Sequence, residues 1–184
     1  MNNKSSHIHL KPIIALCAEN DRAAQEQLYK YFYPRLMPVC MSYTINEDDA
    51  IDIYNRAFLK VFSKLNLYGN KGSFEGWVRR IVVNTALDFV RSVARRNNTV
   101  PVEEEINLSS DELVLSNINS QEILKFIQSL PELQRAVLSL FVLEGYSHKE
   151  IAEQLEIKEG TSKWYLSEAR KELKRVFTKE GLMT

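Results

Sequence analysis

Asn84, Asp88, Arg91 and Arg95 recur at spacings of four, three and four. A helix carrying them would hold all four on one face. Trp77 falls one heptad before Asn84, and Arg79 and Arg80 sit beside it. Amides and guanidinium groups can read base edges, basic side chains can hold phosphates, and an aromatic ring can stack on an unpaired base. A second set, Lys163, Trp164, Ser167 and Lys171, has similar helical spacing. Its opposite face, Ser162, Leu166, Ala169, Leu173 and Val176, is small or apolar. The chemistry implied is recognition of nucleic acid. Taken alone, the first set is also what a solvated helix face with a half-buried Trp looks like, and the second is what any short helical hairpin could carry.

Bond-making chemistry has no comparable basis. The chain lacks a Gly-rich phosphate loop, a nucleophile elbow and a zinc-protease motif. Cys17 and Cys40 form neither a disulfide framework nor a metal-ligand pattern. His7 and His9 lie in a polar stretch with no further ligand nearby, and His148 is expected to be exposed in the first turn of a helix. A non-enzyme with no cofactor, metal or small-molecule substrate is therefore expected.

The total charge argues against a nucleic-acid partner, because 24 Lys and Arg balance 24 Asp and Glu. The distribution argues for one. Residues 79–96 carry five bases and one acid; residues 97–118 carry five acids and no base; residues 158–179 carry seven bases and three acids. Two basic blocks around an acidic one create local fields that the total conceals. No apolar run approaches the ~20 residues that span a bilayer. The first residues lack the basic-then-apolar pattern of a secretory leader. Membrane insertion is not expected, and the cytoplasm is the default compartment.

Several elements must position these residues. Ile13 to Phe32 has the periodicity of an amphipathic helix, with Pro34 and Pro38 expected to flank a break. A helix beginning near Asn46, with acids in its first turn, carries Ala50, Ile51, Tyr54, Phe58, Leu59, Phe62 and Leu65 as its apolar positions. Residues 66–73 are rich in turn formers, and a third helix runs from about Phe74 to Arg95, with Val82, Ala86, Phe89 and Val93 as its apolar face. The Asn- and Ser-rich stretch that follows is a linker. Beyond it come helices at about 121–130, 131–143, 147–155 and 159–177. Ser147 and Glu150 fit a capping box, and the last two helices have helix-turn-helix proportions, with Ile157 plugging the turn. The fold class is all-α: a helical domain at 10–96, a flexible acidic linker at 97–119, and a helix-turn-helix domain at 120–179.

The ordered motifs resemble one family. Phe74-x-Gly-Trp-Val-x-Arg-Ile-x-x-Asn84-x-x-x-Asp88-x-x-Arg91 resembles regions 2.3–2.4 of extracytoplasmic-function sigma factors, members of the sigma-70 family. Asp49-x-x-Asp52-x-x-x-x-x-Phe58-Leu-Lys-Val-Phe62 is similar to their region 2.2. Leu130-Pro-x-x-x-Arg135-x-Val-Leu and Gly145-Tyr-Ser-x-x-Glu150-Ile-Ala-x-x-Leu155-x-Ile-x-x-Gly160-Thr161 are similar to their region 4. These matches span nearly everything outside the tail and linker.

The resemblance implies partners and roles. Asp49, Asp52, Asn55, Arg56 and Leu59 would dock on the β′ clamp helices of core RNA polymerase, and the second domain would meet the β flap. Asn66, Tyr68, Asn70, Trp77, Arg80, Asn84, Asp88 and Arg91 would open and read the minus-ten element of promoter DNA. Thr161, Lys163, Trp164, Ser167 and Lys171 would read the minus-thirty-five element as duplex. A cognate anti-sigma factor is a further expected partner. A linker of about 22 residues spans roughly 70–80 Å when extended. Elements some 20 base pairs apart lie about 70 Å apart along DNA, so one chain reaches both.

This chain departs from the family at two places. Asn55 and Arg56 stand where Gln and an acid are usual, and Arg56 is expected to weaken docking on a basic clamp surface. After Gly160 the family usually reads Thr-Val-Lys-Ser-Arg, whereas this chain reads Thr161-Ser-Lys-Trp164-Tyr165, with Glu168 where a base is common. Two rival readings remain: a helix-turn-helix regulator acting without polymerase, and a sigma-like decoy that binds proteins without reading DNA.

Overall fold

The computed structural model describes residues 4–69, 72–96 and 120–179, without the side chains of residues 4–9, 120, 177 and 179. Asn70 and the expected linker at 97–119 lie outside the described residues. The described residues form eight α-helices and no strand: α1 (Lys4–Ala18), α2 (Arg22–Met41), α3 (Glu47–Lys64), α4 (Phe74–Arg96), α5 (Ser120–Ser129), α6 (Glu132–Leu138), α7 (His148–Leu155) and α8 (Glu159–Lys179). The chain divides into two compact units, Met1–Cys40 with Glu47–Ala86, and Met41–Asn46 with Leu87–Thr184.

The first unit departs from the expected elements at its start. The amphipathic stretch from Ile13 to Phe32 is two helices. Asn20 takes the left-handed conformation at φ 63°, and the Asp21 carboxylate accepts a 2.7 Å bond from the Ala24 amide, which caps α2. Pro34 and Pro38 do not flank a break; both lie inside α2. An interior Pro costs about 3 kcal/mol. Burying one large apolar side chain returns roughly 1.5–3 kcal/mol, and Leu36, Met37 and Val39 are all buried beside these prolines. The Arg35 guanidinium also donates to the Tyr31 carbonyl at 2.7 Å, supplying a donor in the turn that Pro34 disrupts.

Burial in α3 falls on Ala50, Ile53, Tyr54, Ala57, Phe58 and Val61, while Glu47, Asp48 and Asp49 occupy its first turn and Lys64 its last. That charge order complements the helix dipole. Leu59, placed by periodicity among the apolar positions, is 70% exposed. Tyr29, Phe32, Tyr54 and Phe58 form an aromatic core, with Tyr29 edge-on to Tyr54 at 4.8 Å and to Phe58 at 5.2 Å. The Tyr54 hydroxyl donates to the Tyr29 carbonyl at 2.7 Å, which satisfies the one polar atom this ring carries inward.

In the second unit, Pro131 precedes α6 with extended ψ, and its carbonyl accepts from the Arg135 amide at 2.9 Å. The chain then widens into a π-helical stretch, Ser139–Leu143. Leu133, Ala136, Val137, Leu140, Ile151, Leu155, Leu166, Ala169 and Leu173 are buried. The capping box at α7 is complete: the Ser147 amide donates to Glu150 at 2.8 Å, and the Glu150 amide donates to the Ser147 hydroxyl at 3.3 Å. Glu156 ends α7 in the left-handed conformation at φ 58°, which allows the tight turn into α8.

Candidate nucleic-acid interface

Helix α4 is set by its cap. The Ser73 hydroxyl accepts from the Gly76 amide at 3.0 Å, and the Ser73 carbonyl accepts from the Trp77 amide at 3.1 Å. Val78, Val82, Val83, Ala86, Leu87 and Val90 are buried. The inner face is therefore rotated from the expected one, and Phe89 and Val93 are only half-buried. Val83, Leu87 and Val90 lie on the stripe next to that of Val82 and Ala86, and periodicity over four positions does not decide between adjacent stripes. Asn84 and Asp88 remain exposed, and Arg91 is half-buried and ion-paired with Asp88. Arg80 is exposed on the same helix.

Trp77 is braced rather than free. It stacks on Phe74 with centroids 5.6 Å apart and lies 5.4 Å from Tyr68. The Tyr68 hydroxyl donates to the Gly72 carbonyl at 2.9 Å, closing the loop onto itself. Gly72 sits at φ 90°, which a side chain would strain. Asn66 is exposed and follows Leu65 in a short 3₁₀ turn. A groove of about 850 Å³ runs beside this loop, walled by Leu10, Lys11, Ile14 and Ala15 of α1 and by Tyr68, Gly72, Ser73 and Phe74.

On α3, Asp49 and Asp52 are half-exposed, and Asn55, Arg56 and Leu59 are exposed. Asn55 accepts from the Tyr29 hydroxyl at 2.8 Å. Arg56 is ion-paired with Asp52 one turn back at 2.8 Å. The five residues share one surface stripe, in which an apolar residue adjoins an internally neutralised charge pair.

On α8, Lys163, Trp164 and Ser167 are half-exposed and Lys171 is exposed. Lys163 pairs with Glu159 at 2.7 Å, and Lys171 pairs with Glu168 at 2.6 Å. The Glu159 carboxyl is held below its ordinary range by its hydrogen bond to Lys163 and by that ammonium's charge. One member of this set sits deeper than the others. Thr161 is 5% exposed, so its side chain is packed at the start of α8 and is not presented outward. Tyr165, also buried, lies against Trp164 with centroids 5.0 Å apart and supports its ring.

The structure corrects His148. Its ring is half-buried, not exposed. Its Nδ1 lies 2.9 Å from the Ser162 hydroxyl of α8, and it stacks on Phe141 at 4.8 Å. Arg135, noted in the sequence only as part of a motif, is the largest fully buried side chain among the described residues, at 1% exposure. Its Nη1 donates to the Gln128 carbonyl at 3.3 Å, and its Nε has no partner.

Among the described residues no cluster of His, Cys, Asp and Glu could hold a metal ion, and no helix is long and apolar enough to cross a membrane. Two helices carry polar groups over an apolar underside: α4 an amide, an aromatic ring and bases, and α8 a hydroxyl, an aromatic ring and bases. Such faces bind and read nucleic acid.

Comparison with known proteins gives concordant matches. Residues 28–96 match the family Sigma-70 region 2, and residues 120–173 match the family Sigma-70, region 4. The chain is 28% identical over 178 residues to the ECF RNA polymerase sigma factor SigE of Mycolicibacterium smegmatis, covering 91% of this chain and 68% of that protein. It is 29% identical over 150 residues to the ECF RNA polymerase sigma-E factor of Escherichia coli K12, covering 75% of this chain and 78% of that one. A solved structure of the sigma factor RpoE in complex with the anti-sigma factor NepR from Bartonella quintana shares the fold. It matches with TM-score 0.50 and 20% identity over 83% of this chain and 96% of that chain.

Proposed function

The chain belongs to the extracytoplasmic-function group of the sigma-70 family and is a sigma factor that directs transcription initiation, and from that premise we propose how its helices divide the work. Residues 10–96 form the polymerase-binding and minus-ten domain, 97–119 the linker, and 120–179 the minus-thirty-five domain. The α3 stripe of Asp49, Asp52, Asn55, Arg56 and Leu59 docks on the clamp helices of core polymerase. Leu59 supplies the apolar contact, and the polar residues around it set register. The second domain meets the β flap.

The loop and α4 act on the minus-ten element. Asn84, Asp88, Arg91 and Arg80 supply base-edge and phosphate contacts. Trp77 acts by holding the loop, since two rings brace it. Tyr68 lines a concave groove large enough for a base, Asn66 is exposed two residues before it, and Asn70 belongs to the same loop by sequence. A base swung out of the stack costs a few kcal/mol, which hydrogen bonds and stacking in a pocket can offset. Lys163, Trp164, Ser167 and Lys171 read the upstream element in the major groove.

The observation that carries this reading is the exposed polar face of α4 beside a loop closed by Tyr68 and braced by Trp77. A protein-binding decoy has no use for Asn84 and Asp88 presented there. An anti-sigma protein is a further partner, as the family implies. The protein works in the cytoplasm with polymerase and performs no chemistry of its own. The test is in vitro transcription with purified core polymerase followed by start-site sequencing. Starts downstream of a shared two-element sequence are expected. Tight sequence-specific duplex binding without core, with no initiation, would favour the regulator reading instead.

A further inference from the structure

We propose that His148 is a positioning residue for upstream-element recognition: its ring, bonded to Ser162 and stacked on Phe141, fixes how α8 presents Lys163 and Trp164, and its protonation loosens that setting. The inference rests on the reading of α8 given above.

Three observations meet at this point. First, Ser162 is 0% exposed. A buried hydroxyl without a partner is costly, and the Nδ1 of His148 lies 2.9 Å from it. Second, Ser162 immediately precedes Lys163 and Trp164 in the first turn of α8. That end of a recognition helix approaches the base edges. Third, the other faces of the imidazole are also constrained. Phe141, from the π-helical stretch, stacks on it at 24°. The Arg170 guanidinium lies 5.7 Å from the centroid of the same Phe141 ring. The capping box at Ser147 fixes the backbone immediately before His148. The ring thus ties the two helices of the helix-turn-helix together at the end that reads DNA. Many side chains could fill this space, but a hydrogen bond between two fixed helices also sets their angle.

Charge makes the tie sensitive to pH. Lys163, Arg170 and Glu159 of α8 act on the ring, and Lys149 neighbours it on α7. Burial first, then Lys163 and Arg170, lower the His148 pKa below 6.5, with Glu159 opposing. The folded state therefore takes up the proton less readily than the unfolded chain. The stabilisation is fully present above about 6.5 and is lost as pH falls through the lowered folded value. A proton on His148 also repels Lys163, so the residue that loses its setting is one that reads DNA.

The experiment uses the full chain with core polymerase on a randomised upstream-element library, at pH 7.5 and at a second pH set below the midpoint of the wild-type His148 titration. His148→Phe and Ser162→Ala are each expected to reduce discrimination between selected and scrambled elements about fivefold to tenfold at pH 7.5. The double variant should lose no more than either single one, because both remove the same bond. His148→Gln keeps an amide able to bond to Ser162 but cannot titrate. It should retain most of the discrimination at pH 7.5 and show none of the additional loss that the wild type suffers at the lower pH. Thermal melts confirm that each variant is folded. As a second readout, the His148 ring resonances should titrate below pH 6.5 in the wild type. Wild-type discrimination in both single variants at both pH values overturns the proposal, as do additive losses in the double variant. Lys163→Ala and Trp164→Ser separate the two levels. If they shift the selected element while the His148 and Ser162 variants do not, the positioning role alone fails. If they too leave it unchanged, the reading of α8 fails and this inference goes with it.

Discussion

Arg56 and Asp52 neutralise one another on the surface of α3, with Nη2 2.8 Å from Oδ2, the Arg56 side chain largely exposed and that of Asp52 about half so. The sequence alone set Arg56 against a basic clamp surface. The pair presents no net charge there, and the carboxylate of Asp52 is occupied. An exposed pair of this spacing contributes about 0.3–0.5 kcal/mol to the helix.

Removing Arg56 should therefore release Asp52 toward the clamp. Arg56→Ala is expected to tighten core-polymerase binding severalfold at low salt and less at high salt. The gain should vanish in an Asp52→Asn background. Affinity titrations of the four chains at two salt concentrations check this. A gain that persists without Asp52 would mean that Arg56 itself repels the clamp.

Trp164→Ser should change the preferred base at one or two adjacent upstream positions, each worth about 1–3 kcal/mol. Lys171→Ala should weaken all upstream sequences alike, because a single ammonium holds phosphate without reading bases. Library selection with core polymerase distinguishes the two. An unchanged motif with Trp164→Ser would remove that face of α8 from recognition.

Ser147→Ala should destabilise the second unit by about 1 kcal/mol through loss of the cap at α7, read as a lower midpoint in urea. The cap also has an acid limit. Hydrogen bonds from the Ser147 side chain and backbone lower the Glu150 pKa below 4.5. The box is therefore intact above that value and is lost as pH falls through the lowered folded one. Glu150→Gln should flatten this part of the acid transition.

Much of this was legible in the sequence because it is local. The acids opening α3, the Ser147–Glu150 box and the polar stripe of Asn84, Asp88 and Arg91 all depend on residues within one or two turns. The break before α2 was legible in principle, since Asp21 is a good cap, but the apolar rhythm across it concealed the stop. Pro34 and Pro38 misled for the opposite reason: burial of their neighbours outweighs their local cost. His148 was not legible at all. Its partner lies fourteen residues away, and only the packing of α7 against α8 turns an exposed-looking histidine into a bonded one. The burial of Thr161 was not legible either, since helical periodicity does not say how deep the first turn of α8 sits.

Arg135 offers a test of the second unit's core. Its guanidinium is buried, one nitrogen has no partner, and burial lowers its pKa, with Glu132 opposing. A buried cation with a single long bond to a carbonyl is a costly arrangement. Its alkyl stem, however, occupies buried volume in a helix where Leu133, Ala136, Val137 and Leu138 are buried as well. The two contributions separate by substitution. Arg135→Ala removes charge and volume together and should cost about 2–4 kcal/mol through the cavity left behind. Arg135→Met keeps most of the volume and removes the charge, so it should cost less than about 1.5 kcal/mol or be neutral. Urea unfolding of the full chain, followed by a probe in the second unit, reads both. If Met proves as damaging as Ala, the guanidinium's bond to the Gln128 carbonyl is what holds α5 against α6, and the buried charge is structural in its own right.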